Sequence, residues 1–208
     1  GDGEEGMDDQ EGREQPDKAR PPLPSPASED DISGVLLEDL NGDGLDDMIV
    51  LTREGVPAYV YLNPGNGDFS AVEPIPLGPP GEDTPRPDSS SVQVIDLNGD
   101  GAPDIVVGNK DGQNEIYLGD PSKPGTFDKQ PLKFGESGDV TKDVKVIDVD
   151  LDGSLDIVVA NDGQTNKVYY GDPTLPIGSS PTYGQDPGRE STLGDLRGPS
   201  TSVEVADL

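Results

Sequence analysis

The chain has 208 residues, with 43 acidic against 14 basic side chains, a formal net charge of −29, and neither His nor Cys. That charge repels nucleic acid and anionic membrane surfaces, and the missing His and Cys remove the commonest general base and the most nucleophilic side chain. With 30% hydrophobic residues, 28 glycines and 22 prolines, the chain builds only a thin core, so metal binding is expected to supply folding free energy.

Residues 1–30 are acidic and then Pro-rich (Arg20-Pro-Pro-Leu-Pro-Ser-Pro-Ala-Ser28). They carry no periodic apolar pattern and read as an irregular linker or a decayed repeat. From residue 31 onward one unit recurs three times. Each copy opens on an alternating pair, Val35 and Leu37, Val92 and Val94, Val144 and Val146, whose period of two predicts a strand with those side chains on one face. An acidic loop follows in each: Asp39-Leu-Asn-Gly-Asp-Gly-Leu-Asp-Asp47, Asp96-Leu-Asn-Gly-Asp-Gly-Ala-Pro-Asp104 and Asp148-Val-Asp-Leu-Asp-Gly-Ser-Leu-Asp156. The β-branched continuations Met48-Ile-Val-Leu51, Ile105-Val-Val107 and Ile157-Val-Val159 predict second strands. Turn sequences at Asn109–Asn114 and Asn161–Asn166 lead to a third strand carrying Tyr61, Tyr117 and Tyr169. A Gly/Pro/Asp turn then reaches Phe69, Phe127 and Tyr183, and the units close on Leu77-Gly78, Phe134-Gly135 and Leu193-Gly194.

The loop spacing carries the chemistry. Ca²⁺ takes six to eight oxygens at about 2.3–2.6 Å, and D-x-[ND]-x-D-G-x-x-D supplies them from alternate positions of one turn. The expected ligands are Asp39, Asn41, Asp43, the Leu45 carbonyl and Asp47; Asp96, Asn98, Asp100, the Ala102 carbonyl and Asp104; and Asp148, Asp150, Asp152, the Ser154 carbonyl and Asp156. Asp207, in the closing Ala206-Asp207-Leu208, has the form of the first ligand of a fourth loop. About three calcium ions are expected, one per complete loop. One copy alone is also ordinary turn chemistry; three in register argue for metal. The EF-hand reading fails, because its bidentate Glu position holds Val50, Val107 and Val159.

First Asp residues recur at 57 and then 52 residues (39, 96, 148), and four-stranded repeats of this length are propeller blades. In loops and flanking strands the pattern resembles the FG-GAP or VCBS repeat, the blade of the integrin α-subunit propeller. The resemblance covers about residues 31–208 and implies calcium loops between the first and second strands of each blade. The "GAP" element is poorly kept, its nearest trace being Gly198-Pro-Ser-Thr-Ser202. The expected fold is all-β: antiparallel four-stranded blades of a calcium-binding β-propeller, incomplete in this sequence. Blades are assigned to 31–89, 90–141 and 142–200, with 201–208 starting another. Three blades do not close a ring, so the rest is expected from beyond these residues, in the same polypeptide or a neighbouring copy.

The ligand sets look closed and structural, which argues against an enzyme. The expected role is a non-enzymatic extracellular or cell-surface module, structural or adhesive, including as part of a repetitive fibre. Its expected partners are another protein or copies of itself, with glycan as a second class of ligand. Millimolar calcium outside the cell suits such loops, no N-x-[ST] sequon occurs, and no apolar run approaches the ~18 residues of a membrane helix. Ser/Thr/Pro clusters such as Ser179-Ser-Pro-Thr182 are candidates for O-linked sugar or plain extended turns. The alternative reading is a carbohydrate-active module, lectin-like or of polysaccharide-lyase type.

Overall fold

A computed structural model describes residues 31–53, 55–79, 86–193, 200–202 and 204. The expected linker at 1–30, Gly194, Gly198 and Asp207 lie outside the described residues. Among the described residues, three four-stranded antiparallel sheets account for the regular structure, joined by turns and short 3₁₀ segments. The first contains β1 (Ile32–Glu38), β2 (Asp47–Thr52), β3 (Tyr59–Tyr61) and β4 (Ile75–Pro76). The second contains β5 (Asp88–Ile95), β6 (Asp104–Lys110), β7 (Asn114–Tyr117) and β8 (Leu132–Phe134), and the third β9 (Thr141–Ile147), β10 (Asp156–Asn161), β11 (Lys167–Tyr169) and β12 (Glu190–Thr192). In every sheet strands pair in sequence order. These are blades of a β-propeller, and no ring is closed among the described residues. No described helix is long and apolar enough to cross a membrane.

The second strand of each sheet is buried on both faces: the middle sheet has a sheet on either side, and the outward face of β2, Met48 and Val50, packs with Tyr59, Tyr61, Phe69 and Val72. Ile49, Leu51, Val60 and Leu77 of the first sheet meet Ile105, Val107, Tyr117 and Phe127 of the second. On the far side of the second sheet, Val106, Ile116 and Phe134 meet Val144, Ile157, Val159, Tyr169 and Tyr183 of the third. The Phe134 and Tyr169 rings pack edge to face with centroids 5.3 Å apart, a geometry that adds about 0.5–1.5 kcal/mol to area burial. The repeated tyrosine is buried in all three copies, and Phe127 and Tyr183 occupy matching places in successive cores.

Two apolar elements of the repeat stay exposed, at opposite ends of the stack. Val92 and Val94 pack onto the first sheet, and Val144 and Val146 onto the second. Their counterparts Val35 and Leu37 are 53% and 54% exposed. That face of the alternating strand looks toward the preceding sheet, and no described sheet precedes β1; Leu36 turns into the core instead. Leu193, the counterpart of the buried Leu77 and Phe134, is 45% exposed for the converse reason.

The first strands β1, β5 and β9 adjoin along the inner side of the stack. Each carries a bulge at one equivalent residue, Ser33, Ser90 and Lys142, and the extra residue redirects its side chain. The first two bulges put a hydroxyl on the next sheet: Ser33 Oγ donates to Ser89 O at 2.6 Å, and Ser90 Oγ lies 2.6 Å from Thr141 O. Ser91 Oγ adds a bond to Asp143 Oδ1 at 2.7 Å. Polar bonds therefore line the inner seam, and apolar packing fills the body.

Candidate metal centre

Each acidic loop joins the first strand of its sheet to the second. At the first position one carboxylate gathers the loop amides: Asp39 Oδ1 accepts from Gly42 N at 2.7 Å and Oδ2 from Gly44 N at 2.8 Å. Asp96 accepts from Asp100 N and Gly101 N at 3.0 and 2.9 Å, and Asp148 from Asp152 N and Gly153 N at 3.2 and 3.0 Å. These amides, that of Gly44 foremost, hold the Asp39 carboxyl below the usual range. The third residues accept from the fifth: Asn41 from Asp43 N, Asn98 from Asp100 N, Asp150 from Asp152 N. The fifth residues accept from the seventh, Leu45, Ala102 and Ser154, at 2.8–2.9 Å. Gly44, Gly101 and Gly153 take φ of +85°, +93° and +93°, a region opposed to a Cβ.

The ninth position has a second role that the spacing alone does not convey. Asp47, Asp104 and Asp156 are fully buried, and each carboxylate bridges two strand ends. Asp47 accepts from Leu40 N and Asn63 N at 3.0 and 2.7 Å. Asp104 accepts from Leu97 N and Gly119 N at 2.8 and 2.7 Å, and Asp156 from Val149 N and Gly171 N at 2.7 and 2.9 Å. One carboxylate thus latches the loop entry to the exit of the third strand. Burial pushes all three carboxyls up, Asp104 to about 6, against the pull of the paired amides. A buried carboxylate raised in this way favours a nearby cation.

In the third loop the ligand atoms of Asp148, Asp150 and Asp156 lie within 4.8 Å of one another. Oxygens around one Ca²⁺ at about 2.3–2.6 Å are separated by at most about 5 Å, so one ion can touch all three. Asp152 stands outside this trio, its Oδ1 on Ser154 N. The first two loops form no carboxylate trio among the described residues. There Asn41 and Asn98 replace one acid, and their Nδ2 atoms donate to Asp43 and Asp100 at 3.1 Å. All these donors are hard oxygens, the set that calcium prefers over softer metals. The third loop is also the odd one in backbone: Leu151 takes φ +62° where the others place Gly42 and Gly99.

A family model described as FG-GAP-like repeat matches residues 39–107 and 96–159. Human integrin alpha-7 is 36% identical over 136 residues, covering 59% of this chain and 11% of integrin alpha-7. The chain thus spans about a tenth of that relative's length. It belongs to the FG-GAP-like repeat family.

Proposed function

We propose that this FG-GAP-like repeat chain is a non-enzymatic, calcium-binding propeller module of an extracellular or cell-surface protein. It serves a structural or adhesive role toward a protein partner or further copies of itself. The blade divisions 31–89, 90–141 and 142–200 belong to the same reading. The observation that carries it is the convergence of Asp148, Asp150 and Asp156 oxygens within 4.8 Å, in a loop whose amide pattern recurs twice.

Ca²⁺ would be held by Asp39, Asn41, Asp43, Leu45 O and Asp47, by Asp96, Asn98, Asp100, Ala102 O and Asp104, and by Asp148, Asp150, Asp152, Ser154 O and Asp156. The ion supplies positive charge where these acids crowd. The chain supplies the latch: each ninth-position carboxylate holds two strand ends in place, so the charge is delivered to the sheet's own corner. The similarity to integrin alpha-7 supports the surface location and the protein partner. Calorimetric titration of the intact chain is expected to show about three calcium equivalents, and chelator is expected to lower its melting temperature. Identical melts in excess chelator and in millimolar calcium would sink the proposal.

A further inference from the structure

Turns from the second and third sheets lie over the metal loops of the sheets before them. The turn after β7 runs Gly119-Asp-Pro-Ser-Lys-Pro-Gly125, and the turn after β11 runs Gly171-Asp-Pro-Thr-Leu-Pro-Ile-Gly178. Both are built alike. Asp120 Oδ1 accepts from the Ser122 amide and hydroxyl at 2.9 and 2.6 Å, and Asp172 Oδ1 from those of Thr174 at 3.0 and 2.7 Å. Both end on a left-handed glycine, Gly125 at φ +78° and Gly178 at +77°.

Those glycines are the points of contact. Gly125 sits so close over the first loop that a Cβ there would come within 3.2 Å of Asn41 Cβ and 3.0 Å of Leu62. Gly178 N donates to Asn98 O at 2.8 Å, and a Cβ on it would lie 3.5 Å from Asp100 Cβ. Ile177 closes on the same loop, 3.5 Å from where a Gly99 Cβ would stand. Asn41 and Asn98 are the same loop position, met by Gly125 at the side chain and by Gly178 at the backbone carbonyl. The third loop differs: Leu151, the counterpart of Gly99, is 86% exposed.

We infer that these turns are clasps, which make closure of a metal loop and docking of the next sheet one coupled event. Gly125 and Gly178 are positioning residues for the loops of the sheets before them. The inference rests on the calcium reading above. An ion held by Asn98 and Asp100 fixes the backbone of 98–100, and that backbone is the surface on which Gly178 docks. Coupling of this kind is reciprocal: calcium tightens the clasp by the factor by which the clasp tightens calcium.

The test uses the full chain and calcium as the probe, with hydrogen exchange at the Gly178 amide alongside calorimetry. Calcium is expected to slow exchange of that amide about tenfold, and Asp100→Ala to abolish the slowing while the other loops still bind. Gly178→Val is expected to weaken one calcium event about five- to tenfold, the scale of one lost hydrogen bond in a coupled pair. Calcium uptake with unchanged exchange at Gly178 overturns the clasp alone. No uptake at all overturns the calcium reading with it. The exchange measurement on the unmodified chain decides the matter even if Gly178→Val fails to fold.

Discussion

Replacing Asp104 with Asn separates the two roles of the buried carboxylate. The side chains are nearly isosteric, so the fully buried site gains no cavity. Asn offers one oxygen where Asp104 offers two, and its amide group faces either Leu97 N or Gly119 N, both now bonded at 2.7–2.8 Å. One orphaned buried N–H costs about 1–3 kcal/mol, and the surviving bond loses its charge assistance, roughly half its strength. Removing the buried charge returns part of this, since burial already pushes the carboxyl up to about 6. A net loss of about 2 kcal/mol in chelator at neutral pH is expected. With calcium at a hundred times its dissociation constant, the parent chain gains a further ~2.7 kcal/mol at this loop that the variant forfeits. The gap then widens to about 4–5 kcal/mol. Urea melts of both proteins, in chelator and in calcium, read the two numbers. Equal midpoints in chelator would refute the latch, and a gap that calcium leaves unchanged would refute the ligand role.

Three more outcomes follow from the packing, backbone and charge. Val144→Ala is expected to cost about 2 kcal/mol because that side chain is fully buried between sheets, whereas Val35→Ala, at the equivalent register but 53% exposed, is expected to cost under about 0.5 kcal/mol; similar losses would contradict the stacking described. Leu151→Gly is expected to stabilise the chain by about 0.5–1 kcal/mol, since it relieves a left-handed conformation at an exposed side chain, and an unchanged midpoint would count against it. The Ser122 and Thr174 hydroxyls, followed by their amides, hold the Asp120 and Asp172 carboxyls below the ordinary 3.8. The stability they contribute is therefore present above 3.8 and lost as pH falls through the lower folded values. Carbon-detected titration should find both carboxyls below that value, with Ser122→Ala returning Asp120 toward it; ordinary midpoints in the parent chain would refute the assignment.

The strands and loops were legible in the residues because each carries its own local signal. β-branched runs, a period of two and a glycine at a fixed loop position do not depend on neighbours. What was hidden depends on what lies alongside. Alternation in β1 defines two faces but not which of them meets another sheet, so the alignment of Val35 and Leu37 with Val92 and Val94 does not tell that the first pair lies at the surface. The latch at Asp47, Asp104 and Asp156 was hidden because its partners, among them Asn63, Gly119 and Gly171, are 15 or 16 residues away. A signal for the clasp did exist: Gly119-Asp-Pro121 and Gly171-Asp-Pro173 repeat in register, but the repeat reads as a turn until a sheet is placed beneath it. The hydroxyl seam left a weaker trace, since Lys142 replaces serine in the third copy.

The uncovered Val35 and Leu37 at one end of the stack and Leu193 at the other have a practical bearing on handling the isolated chain. The two end surfaces are unlike each other, so a contact that joins one to the other in the next copy would run head to tail and, unless the rotation closes, continue without limit. A net charge of −29 opposes such growth at low ionic strength, and screening weakens that opposition as salt is added. Concentrated stocks should therefore stay clearer in dilute buffer than in high salt, the reverse of the usual remedy for a turbid preparation.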